Sequence, residues 1–126
     1  MANVLLIEDE AGIREIIRAI LEKGGHRVVE AGDGIDGMNR FQVESFDLVI
    51  TDIIMPDREG IETIRLLRAA QPDLPIIAVS GGGRVEAGDY LYLAASFGAT
   101  ATLAKPFSPA ELRRVVQQVL EPSSLN

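Results

Sequence analysis

Short apolar runs alternate with amphipathic helical stretches along the whole chain, and this alternation limits the fold more than any single residue does. The runs at Asn3–Ile7, Arg27–Ala31, Leu48–Thr51, Ile76–Val79 and Thr102–Ala104 read as strands. Those at 48–51 and 76–79 are rich in β-branched residues and almost free of polar ones, which suits strands covered on both faces. Met55-Pro56 stops the third run, because proline has no N–H to offer a ladder. Between the runs the period changes. Over Ala11–Lys23, Ile13, Ile16, Ile17, Ile20 and Leu21 form one helical stripe, while Arg14, Glu15, Arg18, Glu22 and Lys23 take the other face. Gly24-Gly25 ends that helix. Asp33 is placed to cap a short second helix striped by Ile35, Met38 and Phe41. Gly60–Ala70 points Ile61, Ile64 and Leu67 inward. A fourth helix is expected over Tyr90–Phe97. Ser108-Pro109-Ala110-Glu111 is a capping-box signal with proline at the first helical position, and Leu112, Val115, Val116 and Val119 line the helix that follows. Strand alternating with helix means parallel strands, right-handed crossovers and helices on both faces of one sheet.

Length and composition exclude several alternatives. A chain of 126 residues with 47% hydrophobic and 25% charged residues suits one globular domain with a real core. We assign that domain to residues 1–121 and read 122–126 as a polar tail or the start of a linker. A self-standing domain and a piece of a longer protein are both open. No apolar run approaches the ~20 residues needed to span a bilayer, and the run Val4–Ile7 meets Glu8-Asp9 too soon for a signal peptide. Cysteine is absent, which removes disulfides and thiolate metal sites. These features point to a cytoplasmic protein without membrane insertion. The net charge of −7 argues against direct contact with a nucleic-acid backbone, which favours clustered Lys and Arg. The single histidine, His26, rules out a multi-histidine metal centre and reads as a surface residue.

In a sheet of this kind, functional groups collect at the carboxyl ends of the strands. That rim carries Glu8, Asp9, Asp52, Ser80 and Lys105. Each has an ordinary structural role when taken alone. Asp52 and Ser80 are common turn residues, Glu8-Asp9 can start a loop, Lys105 can be a solvated strand end, and Gly60 can be a simple turn glycine. The trio Gly81-Gly82-Gly83 reads as a flexible loop, since it lacks the Lys-Ser/Thr of a phosphate-binding loop.

Taken in order, these motifs resemble the receiver domain of bacterial two-component response regulators, of the chemotaxis-regulator kind. The resemblance rests on an acidic pair closing the first strand and on Asp52 within Asp-x-x-Met-Pro. Gly60 stands eight positions further on, Ser80 closes the fourth strand, and Lys105-Pro106-Phe107 closes the fifth. It covers essentially the whole chain. It implies a flavodoxin-like, doubly wound, five-stranded parallel sheet in the order 2-1-3-4-5. It also implies that Asp9, Asp52 and the backbone carbonyl of Ile54 bind Mg²⁺ (or Mn²⁺), with Glu8 acting mostly through water. Oxygen donors suit such a hard cation, which keeps several of its waters. Asp52 would take a phosphoryl group from a phosphohistidine on a histidine kinase or a histidine phosphotransfer protein. Lys105, Ser80 and the backbone N–H of Gly81 would hold the phosphoryl oxygens. The added charge would switch a surface, formed by the fourth helix, fifth strand and last helix, that binds a downstream protein.

The chain departs from the family pattern in three places. Thr102 stands where an aromatic switch residue is usual, three positions before Lys105, and Tyr90 or Tyr92 are the available substitutes. The segment from Ser80 to Lys105 is slightly long, with extra glycine around Arg84–Gly88. Ile54, two positions beyond Asp52, is apolar where water attack is often tuned, so a long-lived phosphoryl group is expected. Two other functions compete with a phosphoacceptor that is not a turnover enzyme. A Mg²⁺-dependent phosphohydrolase or nuclease would want an Asp at position 54. A degenerate receiver that acts by binding alone would have lost its acidic pair, Asp52 or Lys105.

Overall fold

The computed structural model describes residues 2–53, 59–81 and 98–121. The expected fourth helix, Ile54, Tyr90, Tyr92 and the tail 122–126 lie outside the described residues. The strands are β1 (Asn3–Ile7), β2 (Arg27–Ala31), β3 (Leu48–Asp52), β4 (Ile76–Gly81) and β5 (Ala101–Lys105). All pair in parallel, in the order β2-β1-β3-β4-β5. The helices are α1 (Ala11–Lys23), α2 (Gly34–Val43), α3 (Glu59–Ala70) and α4 (Pro109–Leu120).

Strand periodicity divides the core in two. Successive side chains of a strand point to opposite faces. Val4, Leu6, Leu48, Ile50, Ile77 and Val79 therefore pack on one face with Ile17 and Leu21 of α1 and with Leu112, Val115, Val116 and Val119 of α4. Leu5, Ile7, Val49, Ile76 and Ala78 pack on the other with Ile64 and Leu67 of α3. The three central strands serve both layers, which is why their interiors are almost wholly apolar, Thr51 excepted, and their polar residues fall at the ends.

The helix ends follow the local chemistry. Asp33 accepts a hydrogen bond from the Asp36 amide at 2.7 Å and starts α2. At α4 the capping box is reciprocal: the Glu111 amide donates to Ser108 Oγ at 3.1 Å, and the Ser108 amide donates to Glu111 Oε1 at 2.8 Å. Gly25 takes φ 94° after α1, a conformation that glycine adopts without penalty.

Two stripe residues are corrected. Ile16 is 60% exposed. At 100° per residue it lies roughly 85° from the centre of the stripe set by Ile13, Ile17, Ile20 and Leu21, so it falls on the flank. Ile35 is 69% exposed, and Gly34 and Gly37 take the buried face of α2 instead. A Cβ at Gly37 would stand 2.4 Å from Cδ1 of fully buried Ile7, so this helix lies close on β1 because it has no side chain there. His26 is half-buried, and its Nδ1 accepts a hydrogen bond from the Ala2 amide at 3.1 Å. Among the described residues no helix is long and apolar enough to cross a membrane.

Candidate functional site

The order β2-β1-β3-β4-β5 makes β1 and β3 neighbours, so the residues that close them meet. Glu8 follows β1, with its amide donating to the Ala31 carbonyl at 3.0 Å. Asp52 is the last residue of β3. Glu8, Asp9 and Asp52 each offer a carboxylate oxygen, and these atoms all lie within 4.8 Å of one another. Glu8 and Asp52 are buried, at 1% and 5% exposure, while Asp9 faces solvent.

Lys105 closes β5 and reaches past the end of β4 into the same place. Its Nζ donates to Glu8 Oε1 and to Asp52 Oδ2, each at 3.2 Å. Glu8 Oε2 accepts from the Glu10 amide at 3.1 Å. Burial, helped by the charge of Asp52, pushes the Glu8 carboxyl up to about 7, against the pull of the Glu10 amide and Lys105. Burial alone would lower the Lys105 ammonium, but Asp52 and Glu8 outweigh it and hold the ammonium above its usual range. Three carboxylates thus gather around a site where one ammonium bridges two of them, Glu8 and Asp52. Such a set fits a divalent cation, since hard oxygen donors with surplus negative charge are what Mg²⁺ or Mn²⁺ takes.

The remaining expected residues divide. Ser80 is fully buried at the end of β4, and its Oγ has no hydrogen-bond partner among the described residues. A buried hydroxyl without a partner is costly, so this group calls for an explanation. Gly81 ends β4 and pairs with Lys105 in the ladder, which puts its backbone at the same rim. Thr102 pairs with Ala78, three residues back from Lys105 and so about 10 Å down the strand at the usual rise. It is half-buried there, away from the carboxylates. Ile54 lies outside the described residues.

Two features escaped the sequence pattern. A Cβ on Gly60 would stand 2.3 Å from Ile53 Cα and 2.5 Å from the Asp52 carbonyl oxygen. Gly60 is therefore no mere turn former; it lets the start of α3 rest on the peptide that carries Asp52. Its fixed offset from Asp52 was the available signal, but the contact itself is with main chain and leaves no trace in an apolar pattern. Arg14, read as a solvent-face residue, instead donates from Nη1 to the Glu8 carbonyl at 2.6 Å and from Nε to Glu30 Oε1 at 2.9 Å.

The family model for the response regulator receiver domain matches residues 4–117. The chain belongs to that family. As a receiver it is 38% identical, over 94% of its length, to a probable transcriptional regulator, ycf27, of Guillardia theta. It is 30% identical, over 98% of its length, to the alkaline phosphatase synthesis transcriptional regulatory protein PhoP of Bacillus subtilis. The receiver covers 45% of the first and 50% of the second, so it spans about half the length of these curated relatives. Among solved structures it is similar to a receiver domain protein of Clostridium thermocellum, with TM-score 0.88, 30% identity, and coverage of 99% of this chain and 98% of that one. It is also similar to the chemotaxis response regulator CheY4 of Vibrio cholerae, with TM-score 0.84, 30% identity, and coverage of 95% and 99%.

Proposed function

We propose that this receiver accepts a phosphoryl group on Asp52 from a phosphohistidine donor, a histidine kinase or a histidine phosphotransfer protein. The observation that carries the reading is the cluster of Glu8, Asp9 and Asp52 at the carboxyl rim, with Lys105 bridging Glu8 and Asp52. In the transfer an Asp52 carboxylate oxygen forms a bond to phosphorus. The phosphorus–nitrogen bond to the donor imidazole breaks, and the imidazole leaves with that electron pair. The product is an acyl phosphate on Asp52.

Little covalent work falls to the protein in such a transfer; it places charge and excludes water. Glu8, Asp9, Asp52 and the carbonyl of Ile54 are the groups that would hold Mg²⁺ or Mn²⁺, whose chemistry is to draw charge from the phosphoryl oxygens. Lys105 sits on Asp52 Oδ2 and Glu8 Oε1, each at 3.2 Å, and has one proton left for an incoming oxygen. The unpartnered Ser80 hydroxyl donates to one of them, and the Gly81 amide to another. A phosphate adds about 1.5 to 2 negative charges. This pulls Lys105 and Ser80 toward Asp52, and so biases the surface of β5, α4 and the segment 90–97 that a downstream protein binds. The receiver promotes its own phosphorylation and dephosphorylation without turning over a separate substrate. With a net charge of −7, these residues are not expected to touch nucleic acid themselves.

Incubation with acetyl phosphate and Mg²⁺, followed by intact-mass measurement, tests the reading. One phosphoryl adduct is expected in the native protein and none in Asp52→Asn. An adduct that survives in Asp52→Asn, or sustained release of phosphate from unrelated phosphate esters, overturns it.

A further inference from the structure

The turn that delivers Glu8 and Asp9 is held from the side opposite the carboxylate pocket. The Glu8 main chain is tied at both ends of its peptide groups. Its amide donates to the Ala31 carbonyl at 3.0 Å, and its carbonyl accepts from Arg14 Nη1 at 2.6 Å. Arg14 is anchored in turn. Its Nε donates to Glu30 Oε1 at 2.9 Å, and both side chains are largely covered, at 22% and 27% exposure. Glu30 is also gripped by Arg18, which reaches back to Glu22 in the same helix. Gly32 lies beside this chain; a Cβ there would stand 3.7 Å from Arg14 Nη1. A connected path therefore runs from β2 through Glu30 and Arg14 to the peptide between Glu8 and Asp9.

We propose that Arg14 is a positioning residue: by bridging the Glu8 carbonyl to Glu30 it fixes the turn on which Glu8 and Asp9 present their carboxylates to a divalent cation. The inference rests on the cation-binding reading of the acidic cluster given above. It opposes the simplest electrostatic expectation. Arg14 is a positive charge near a cation site, so its removal should tighten cation binding if charge alone mattered. A positioning role demands the opposite sign. Partners that orient metal ligands from outside typically change metal affinity by roughly tenfold or more, and a planar guanidinium holds its donors in a fixed fork that the point charge of an ammonium on a flexible stem does not reproduce.

The test is a titration of the protein with Mn²⁺, following the free-ion signal by electron paramagnetic resonance. Amide hydrogen exchange at Glu10 is measured in the metal-free protein. Native protein should bind Mn²⁺, and Asp9→Asn should bind it much more weakly. If neither holds, the cation-site reading fails and this inference falls with it. Given those controls, Arg14→Ala should bind Mn²⁺ roughly tenfold more weakly, and the Glu10 amide, which reports the Glu8 carboxylate, should exchange faster. Arg14→Lys should recover little of the affinity. Equal or tighter Mn²⁺ binding by Arg14→Ala overturns the proposal. So does a lowered melting temperature with unchanged affinity, which is what a purely structural arginine would give. If the alanine variant does not fold, Arg14→Met keeps the aliphatic stem, and the same two outcomes decide.

Discussion

The two rims of the sheet treat polar groups in opposite ways. At the amino rim several polar groups near the strand starts are tied to neighbours. The Asn3 amide donates to Asp47 Oδ2 at 2.8 Å, and the Asn3 side chain donates to Glu44 and to the Ser45 carbonyl. Arg27 pairs with Glu44 and Asn3. Arg68 donates to the carbonyls of Gly98, Gln71 and Pro72, securing the entry to β5. Most of these ties are open to water. At the carboxyl rim the balance is reversed: the carboxylates of Glu8, Asp9 and Asp52 crowd together with one ammonium bridging Glu8 and Asp52, and Ser80 is buried at the same rim without a partner among the described residues. One rim is satisfied and holds the fold. The other stores unfavourable charge, and that is the rim on which the proposed chemistry rests.

Four measurements would break or sharpen this contrast. The largest effect is expected for Lys105→Met, which leaves Glu8 and Asp52 buried without their shared cation. Breaking a buried pair in this way costs about 3–5 kcal/mol, read by urea unfolding at pH 8 without divalent ions; a loss below about 1 kcal/mol would make this rim no different from the other. Gly60→Ala comes next. The added carbon meets main chain at 2.3 Å, and overpacking of that kind costs about 3 kcal/mol. Asp52 should be displaced as well, so Mn²⁺ binding should weaken in the same variant.

The third measurement is the pH dependence of the metal-free protein. Folding raises the Glu8 carboxyl from 4.5 to about 7, so between those values the folded state holds more proton than the unfolded one. The stabilisation from this group is complete below the unfolded value and is lost as pH rises through the folded one. Stability should therefore fall by about 2 kcal/mol from pH 5 to pH 8. Asp52→Asn should flatten the slope, and Mg²⁺ at millimolar concentration should oppose it. A metal-free protein that grows more stable over that range would contradict the crowding. The smallest effect belongs to the amino rim. Arg27→Ala removes an exposed pair and should change stability by no more than about 0.5 kcal/mol, with phosphorylation by acetyl phosphate unchanged.

How much of this could be read from the sequence depended on what kind of residue carried the information. Side chains that pack leave a period, so the strand positions, the bounds of α1 and all four buried residues of α4 were legible. Capping residues act on their own neighbours, and Asp33 and Ser108 were found for that reason. Charges at strand ends gave Glu8, Asp9, Asp52 and Lys105 as a set, because the parallel sheet brings strand ends to one rim. Glycine at an interface leaves no such mark. Gly37 carries the sheet-facing side of α2, and its silence put Ile35 in the stripe; Gly60 could not be told from a turn residue. Ile16 failed differently, since five isoleucines and leucines in one helix are more than a single stripe can bury. Arg14 was missed because its acceptor is a main-chain oxygen, and its helix position alone looked solvent-facing.

The meeting of Gly60 with the peptide of Asp52 and Ile53 has a mechanical consequence. No side chain stands between the two, so nothing soft can absorb a small movement of the strand end. A displacement of the Asp52 main chain would therefore be expected to carry the first turn of α3 with it. The joint works as a knuckle, bone on bone, and the pocket can be felt from the outside of the molecule.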